Sequence, residues 1–241
     1  MIRISVIKNF KRTEKKYIIS SATYLSLREK LGSHVIEDEY GWDTICSLYF
    51  DTENFDLIRR SIDKPVYKEK LRLRSYNVPT ADKKVYVELK KKYDGIVYKR
   101  RISLKYSDAL NFLQSGDCDK IKQKDKQIAN ELLFAISRYS LKPAMVVCYD
   151  RLALVCPEDP DVRITFDTSI RARDYELDLL KGSHGWGVLD KDKYIMEIKV
   201  NSAMPLWLVH ALRECEIRPG SFSKYGTAYK QKLKLIDVAE Q

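Results

Sequence analysis

Short segments in which apolar and charged residues alternate are the main pattern of this chain. In Tyr67–Tyr76, the cations Lys68, Lys70, Arg72 and Arg74 occupy every second position, with leucines between the last three. Alternate residues of a β-strand point to the same face. The segment therefore predicts a strand with one largely apolar face and one face lined by four cations.

The charged face recurs in other segments of the same kind. Its members there alternate with apolar residues, and they are Glu88, Lys90, Lys92, Lys99, Arg101, Arg163, Thr165, Asp167, Glu197 and Lys199. An amphipathic strand with its charged side in water would explain any one of these segments. Paired arginines and lysines with a single glutamate at intervals, on strand after strand, instead favour a sheet curled around a polar interior suited to phosphates.

The remaining pattern predicts further strands and several helices. Strands are predicted at residues 12–19, 45–50, 67–76, 84–91, 97–104, 144–154, 162–166 and 194–200, with a hairpin turn at Asp94-Gly95. Helices are predicted at 21–31, 54–61, 107–113, 125–139, 205–214 and 227–236, with Ser21 as an N-cap of the first. Antiparallel strands interrupted by helices predict an α+β fold, with helices covering the apolar outer face of a curled sheet.

Length and charge narrow the class of protein. The 241 residues lie within the range of one β-rich domain, so we expect a single domain over residues 1–241. With 44 Lys and Arg against 34 Asp and Glu, the formal net charge is +10. Such a charge favours nucleic acid, an anionic membrane or a polyphosphorylated molecule as partner. Nucleic acid is less favoured, because the aromatic residues do not interleave with the basic strands.

Several chemistries have no supporting motif. The five cysteines have no CxxC pair or metal-type spacing, which disfavours structural zinc and fits a reduced cytoplasmic protein. The three histidines have no nucleophile or ligand partner at a recognisable spacing, and no glycine-rich phosphate-binding loop occurs. No segment approaches the run of about 20 apolar residues that a membrane span requires. We expect a soluble protein in which side chains hold any phosphate.

Six motifs occur in an order that is found in one known family. They are Arg12-x-Glu14-x-Lys16, residues 45–52, residues 68–76, residues 87–90, residues 196–199 and residues 221–226. With these motifs the chain resembles the VTC domain, the polyphosphate polymerase domain of the vacuolar transporter chaperone complex. That domain is a branch of the CYTH-like triphosphate tunnel metalloenzymes. The resemblance covers about residues 10–229, and it implies an antiparallel eight-stranded β-tunnel with helices packed on the outside.

The resemblance also implies an activity and a set of site residues. It implies a metal-dependent ATP:polyphosphate phosphotransferase, which passes the γ-phosphate of ATP to a growing polyphosphate chain. The substrate-binding residues that it implies are Lys16, Arg72, Arg74, Lys90, Lys99, Tyr149, Arg151, Arg163, Lys199, Ser223 and Lys224. Those implied to act in catalysis are Arg72, Arg74, Lys90, Glu197 and Lys224. Lys70 and Arg101 could belong to the site or only shape its electrostatic potential.

Glu197 resembles the metal ligand of the family. A hard cation such as Mn²⁺ or Mg²⁺ prefers carboxylate and phosphate oxygens, so one protein carboxylate and the triphosphate can suffice. Glu14 and Glu88 are expected to face the same interior, where they could help to hold the ion or orient the lysines. Salt bridges among crowded cations explain these two residues equally well.

One departure from the wider superfamily bears on the reaction. Hydrolytic tunnel enzymes typically begin with Glu-x-Glu-x-Lys, whereas this chain has Arg12 first and keeps Glu14 and Lys16. A more basic interior favours holding a polyanionic product over activating water, so we prefer a polymerase to a triphosphatase acting on inorganic or nucleotide triphosphate. A non-catalytic polyphosphate-binding module is a third alternative, which Glu197 disfavours because a pure anion binder does not need it.

The expected partners are ATP and inorganic polyphosphate, and the expected location is the cytoplasm. No inositol-phosphate-binding SPX-type domain or membrane anchor is recognisable in the sequence. Recruitment by a separate membrane protein is therefore an open alternative.

Overall fold

Helices interrupt the series of strands at several points along the chain. A computed structural model describes residues 13–201 and 203–239. The strands are β1 (Thr13–Ser20), β2 (Ile36–Asp51), β3 (Tyr67–Tyr76), β4 (Lys84–Tyr93), β5 (Ile96–Lys105), β6 (Lys142–Val155), β7 (Arg163–Arg173), β8 (Trp186–Gly187) and β9 (Lys193–Val200). The helices are α1 (Ser21–Leu31), α2 (Asp56–Ile62), α3 (Tyr106–Ser115), α4 (Lys126–Tyr139), α5 (Leu206–Glu214) and α6 (Lys224–Ala239).

The strands form one antiparallel sheet. Their hydrogen-bonded order is β1-β9-β7-β6-β2-β3-β4-β5, and β8 pairs with β7. The α+β prediction is confirmed, with nine strands in the described residues where eight were expected. The additional strand, β8, has two residues, which is too short for any alternation to be visible in the sequence. The predicted first strand position, Arg12, lies outside the described residues.

Two strands are longer than their predicted counterparts. β2 begins at Ile36 rather than at residue 45, and its first half is mostly exposed, so its sequence lacks an apolar alternation. β7 continues to Arg173, past the predicted end at residue 166. Ser169 in this strand has a positive φ of 48°, and the polar pair Thr168 and Ser169 interrupts the apolar pattern there.

Turn and cap residues begin and end these elements largely as predicted. Asp94 and Gly95 have φ values of 42° and 79°, and Tyr93 pairs with Ile96, so the predicted two-residue hairpin is confirmed. The N-cap of α1 is Ser20, one residue before the predicted Ser21, because the Ser20 hydroxyl accepts the Thr23 N–H at 3.1 Å.

The chain divides into two compact units. The first contains the described residues of Met1–Trp42 with Arg151–Thr168 and Asp192–Phe222. The second contains Asp43–Asp150, Ser169–Lys191 and the described residues of Ser223–Gln241. No helix in residues 13–201 and 203–239 is long and apolar enough to cross a membrane.

In the first unit, one face of β1, β9 and β7 forms an apolar core. Strand residues such as Tyr17, Phe166 and Met196 pack there with helix residues such as Leu27 of α1 and Leu208 of α5. Because strand residues alternate between faces, the same strands carry Lys16, Thr165 and Glu197 on the opposite face.

In the second unit, the core lies between the antiparallel strands β2–β5 and the helices α3 and α4. Leu71, Leu73 and Val87 of the strands pack with Phe112 of α3 and Leu132 of α4, and all five side chains are buried. Burial of large aliphatic and aromatic side chains is the main favourable contribution to such a core. The other face of β3 and β4 is again polar.

Arg173 and Gly185 hold the segment between β7 and β8. The fully buried Arg173 guanidinium donates hydrogen bonds to the carbonyls of Glu176, Asp178, Gly182 and His184, at 2.7–3.2 Å. Gly185 has a φ of +153°, and a Cβ added there would lie 2.1 Å from the Ala172 carbonyl oxygen. Any side chain at this position therefore forces the backbone to shift.

We expect Gly185→Ala to lower the free energy of unfolding by about 1–3 kcal/mol, because the added methyl group forces the backbone away from Ala172. Gly187→Ala is the matched control, since a Cβ at Gly187 meets nothing within 4 Å. Urea unfolding of both variants measures the difference, and equal losses would contradict the close approach.

Candidate active site

A row of polar residues crosses four neighbouring strands of the second unit. Tyr49 pairs with Arg72, Arg72 with Glu88, and Glu88 with Arg101, each on the next strand from β2 to β5. The Glu88 side chain is only 1% exposed, and its carboxylate contacts Arg72 at 2.8 Å, Lys99 at 2.7 Å and Arg101 at 2.6 Å. One buried carboxylate thus serves three cations.

The cations keep Glu88 ionised. Burial opposes the charged form, but Arg72, Arg74 and Lys99 outweigh it and hold the pKa of Glu88 well below its usual range. Burial lowers the pKa of Lys99 despite its contact with Glu88. The row therefore carries an excess of positive charge, which suits an anionic ligand.

The next arginine along β3 has neutral partners. Arg74 donates to the Ser47 hydroxyl at 3.2 Å and to the Tyr149 hydroxyl at 3.1 Å. The Lys224 ammonium lies 4.5 Å from the centre of the Tyr149 ring. Three of the predicted phosphate ligands, Arg74, Tyr149 and Lys224, are therefore neighbours.

Ser223 is the N-cap of α6. Its hydroxyl accepts the Gly226 N–H at 3.1 Å and lies 3.4 Å from the Lys70 ammonium. This contact brings Lys70 to the start of the helix that carries Lys224.

Lysines continue the polar face towards the β4–β5 hairpin. Lys90 lies opposite Lys70 on one side and Lys99 on the other, and Lys68 lies opposite Lys92. Burial and then the nearby Lys92, Lys64 and Lys90 lower the pKa of Lys68. Neighbouring ammonium groups on this face therefore repel one another, which favours an anionic ligand.

The first unit carries a second polar cluster. Glu197 of β9 contacts Lys16 of β1 at 3.1 Å and Lys199 at 3.6 Å. Glu14 contacts the same two lysines, Lys16 at 3.6 Å and Lys199 at 3.9 Å. Burial opposes the charge of Lys16, but Glu197 and Glu14 outweigh it and raise the pKa of Lys16. Two carboxylates and two ammonium groups thus alternate within one cluster.

Arg151 extends this cluster. It forms a bidentate pair with the fully buried Asp167, at 2.5 and 2.7 Å, and lies 4.0 Å from Glu197. Arg163 instead contacts Asp38 at 3.1 Å, and its side chain is 46% exposed. The Thr165 hydroxyl is one of the few buried side-chain polar atoms in the described residues without a hydrogen-bond partner.

Two carboxylates of the first unit are suitable ligands for a hard cation. Glu14 and Glu197 offer carboxylate oxygens, and Mg²⁺ and Mn²⁺ prefer oxygen ligands. Within residues 13–201 and 203–239, no three His, Cys, Asp or Glu side chains form a group that could hold a metal ion unaided. These carboxylates therefore fit an ion whose remaining ligands come from a phosphate substrate.

Sequence reasoning missed several residues of the two clusters. Ser47 and Tyr49 contact the arginines of β3, and Tyr86 lies beneath the Arg101 guanidinium at 4.0 Å. Asp167, which the alternation placed on the charged face without a partner, pairs with Arg151. Ser47 and Tyr49 alternate with Cys46, Leu48 and Phe50 in β2, so the alternation already indicated their polar face. The residues that they contact depend on strand register, and the alternation of apolar and polar residues gives no information about register.

We expect Tyr49 to ionise at an unusually low pH. Burial opposes ionisation, but Arg72, Arg74 and Lys70 outweigh it and lower the pKa of Tyr49 from 10.0 to about 8. Its phenolate therefore stabilises the fold fully above pH 10, and this contribution is lost as the pH falls through 8. Relative to Tyr49→Phe, the wild type should gain about 2–3 kcal/mol in unfolding free energy between these pH values.

Phenolate absorbance and urea unfolding as functions of pH, for wild type and Tyr49→Phe, measure both effects. The phenylalanine keeps a ring to stack on Tyr225, so packing is matched. A difference in stability that does not change with pH would show that Tyr49 stays neutral.

Glu88→Gln should lower the free energy of unfolding by about 1–3 kcal/mol, because it leaves three partly exposed cations without their buried counter-charge. Inorganic triphosphate should restore part of this loss, since it supplies negative charge to the same cations. Glu131→Gln is the control, because Glu131 pairs with Arg100 at a more exposed position. Urea unfolding with and without triphosphate measures both effects, and equal losses in the two variants would contradict the role of Glu88.

Sequence comparison finds relatives of this chain among known proteins. A family model described as the VTC domain matches residues 11–233. Vacuolar transporter chaperone complex subunit 4 from Trypanosoma brucei brucei is 27% identical over 222 residues, a match that covers 75% of this chain and 27% of that protein. The chain thus spans little more than a quarter of the length of this curated relative.

Two solved structures share the fold at low sequence identity. A candidate adenylate cyclase from Bacillus halodurans has a TM-score of 0.52 and 18% identity, with 87% of this chain and 92% of that chain covered. A candidate adenylyl cyclase from Hippeastrum, described as having a dominant triphosphatase activity, has a TM-score of 0.53 and 16% identity, with 90% and 95% covered. These likenesses confirm the predicted fold, an antiparallel sheet with helices. With the family model matching most of its length, this chain belongs to the VTC domain family.

Proposed function

We propose that this chain is a metal-dependent polyphosphate polymerase, which transfers the γ-phosphate of ATP to a growing inorganic polyphosphate chain. The observation that carries the proposal is the row of Arg72, Glu88 and Arg101, where one buried carboxylate serves three cations. Membership of the VTC domain family supports the same proposed activity.

The substrate-binding residues that we propose belong to both clusters. In the second unit they are Arg72, Arg74, Lys90, Lys99, Tyr149, Ser223 and Lys224, and in the first unit they are Lys16, Arg151, Arg163 and Lys199. The residues that we propose to act in catalysis are Arg72, Arg74, Lys90 and Lys224 in the second unit and Glu197 in the first. Arg163 would have to leave Asp38 in order to bind phosphate.

The arginines of β3 are held in place before substrate arrives. Glu88 and Tyr49 hold the Arg72 guanidinium, and Ser47 and Tyr149 hold that of Arg74. A planar guanidinium can donate two parallel hydrogen bonds to phosphate oxygens. Because the donors are preorganised, little reorganisation is needed when negative charge shifts during transfer.

For phosphoryl transfer to polyphosphate, side chains mainly have to bind and orient the phosphates. The acceptor is an already ionised phosphate, so no general base has to remove a proton. Positioning and charge neutralisation dominate this class of reaction. The arginines and lysines of the two clusters supply both.

Glu197 and Glu14 are the residues that would hold a divalent cation in the first unit. When bound there with substrate, such an ion would neutralise part of the phosphate charge. Lys16 and Lys199 contact both carboxylates, and they would bind phosphate oxygens while keeping the carboxylates ionised.

A tunnel triphosphatase is the second candidate. The presence of Glu14 beside Glu197 favours it, because two carboxylates in one cluster suit the orientation of an attacking water as well as a metal. The excess of cations around Glu88 favours the polymerase, since a polyanionic product needs many cations to stay bound. A binding module without activity is the remaining alternative.

The proposal includes the partners and the cellular location of the reaction. ATP and inorganic polyphosphate would be the partners, in the cytoplasm where ATP is available. The match to a chaperone-complex subunit supports membership of a complex, in which a separate membrane protein would recruit this chain.

Purified protein incubated with γ-labelled ATP and Mn²⁺ should produce long labelled chains that a gel resolves from free phosphate. Release of labelled phosphate without chains would favour the triphosphatase. Retention of all label in ATP, with polyphosphate still bound, would favour the module without activity.

Glu197→Gln should reduce ATP turnover at least about tenfold and shift the Mn²⁺ midpoint upward, because the amide has no charge to attract the ion. Polyphosphate affinity without metal should persist or increase, since one carboxylate no longer competes for Lys16 and Lys199. Glu214→Gln is the control, because Glu214 pairs with Lys30 at an exposed position of the same unit. A normal turnover and an unchanged midpoint would remove Glu197 from the metal site.

A further inference from the structure

Asp51 lies at a buried junction of three elements in the second unit. It is the last residue of β2 and is fully buried. Its carboxylate accepts the backbone N–H groups of Leu57 and Ile58 at 2.8 and 3.0 Å, which belong to the first turn of α2. It also accepts the hydroxyl of Tyr225 in α6 at 2.9 Å. One side chain thus connects β2, α2 and α6.

Tyr225 continues this connection to the arginine row. Its ring stacks on that of Tyr49, with centroids 4.4 Å apart and planes at 16°. The Tyr49 hydroxyl in turn lies 3.3 Å from the Arg72 guanidinium. Stacked aromatic rings that are buried have little freedom to move. The position of Arg72 therefore depends on a chain of contacts that begins at Asp51.

Tyr225 also fixes the first turn of α6. Ser223 and Lys224 immediately precede it, and Lys224 lies over the Tyr149 ring. Gly226 follows, and a Cβ there would approach the Ser223 hydroxyl to 3.0 Å and the Ile62 side chain of α2 to 3.7 Å. The start of α6 is thus packed tightly against α2, whose own start Asp51 caps.

A fully buried carboxylate is a costly way to cap a helix. Burial raises the pKa of Asp51, and the hydrogen bonds from Leu57 and Tyr225 only partly offset this effect. The backbone donors of α2 alone would be satisfied equally well by an exposed Ser or Asp. A helix cap alone does not explain the hydrogen bond that the Tyr225 hydroxyl donates to Asp51.

We propose that Asp51 and Tyr225 are positioning residues, which hold Lys224 and Arg72 where they bind phosphate. The proposal rests on the proposed function for the identity of the ligand. Neither side chain touches the ligand, and both act through the first turn of α6 and the Tyr49 ring.

The test uses a double-mutant cycle with inorganic triphosphate as the probe, measured by calorimetry without metal. Tyr225→Phe removes one hydroxyl and should weaken triphosphate binding about tenfold, in line with the effect of losing a supporting contact. In the background of Lys224→Met the same change should have a much smaller effect, because the phenylalanine ring still stacks on Tyr49 and the lost hydroxyl acts through Lys224.

Tyr106→Phe is the matched control. The buried Tyr106 also donates its hydroxyl to an aspartate, Asp178, at 2.6 Å, in the same unit. Both variants should lower the melting temperature, but only Tyr225→Phe should lower triphosphate affinity. Equal affinity in the two variants, or an equal loss with and without Lys224, would overturn the proposal.

Asp51→Asn provides a second variant if Tyr225→Phe does not fold. The amide keeps the size of the side chain but accepts the Tyr225 hydroxyl less strongly than a carboxylate, so the first turn of α6 should be held less firmly and triphosphate binding should weaken. Unchanged affinity in this variant would count against the proposal. If the wild type binds triphosphate but makes no polymer, the polymerase proposal fails while the cycle still tests the positioning role.

Discussion

Burial of a carboxylate among cations is the interaction on which the polar faces of this protein depend. An arginine or lysine on a buried face needs a counter-charge, and a carboxylate there needs several donors. Glu88 and Asp167 meet this requirement for Arg72 and Arg151, and each lies in a strand whose opposite face belongs to an apolar core. The cores therefore fix the cations indirectly, since packing on one face sets the strand positions on the other.

Elements with one apolar face were predictable, and elements without one were not. β3 and β4 alternate between leucine or valine and charged residues, so their existence and approximate bounds follow from period-two burial. The first half of β2 is exposed on both faces and carries no such signal. Arg173 reads as another cation on a polar strand, yet it is fully buried because four backbone carbonyls surround its guanidinium. That environment arises from loop geometry, which a local pattern does not encode.

The residues of the candidate site were predictable from the sequence, but the contacts between them were not. The charged faces and the motif residues pointed to Arg72, Arg74, Glu197 and Lys224, which the structure places in two clusters. Strand register decides which of them touch, and register comes from pairing between segments that are distant in sequence. For that reason the neighbours of Arg74 could be found only in the structure. The metal and phosphate roles of these residues stay predictions.

The pairing of β1 with β9 has a consequence for how the chain folds. β3, β4 and β5 follow one another through short turns, so they can pair soon after they leave the ribosome. Lys16 of β1 can pair with Glu197 of β9 only after most of the described chain has been synthesised. Until then β1 has no partner among the described strands. Folding of the first unit should therefore be the slow step, and the stage most exposed to aggregation.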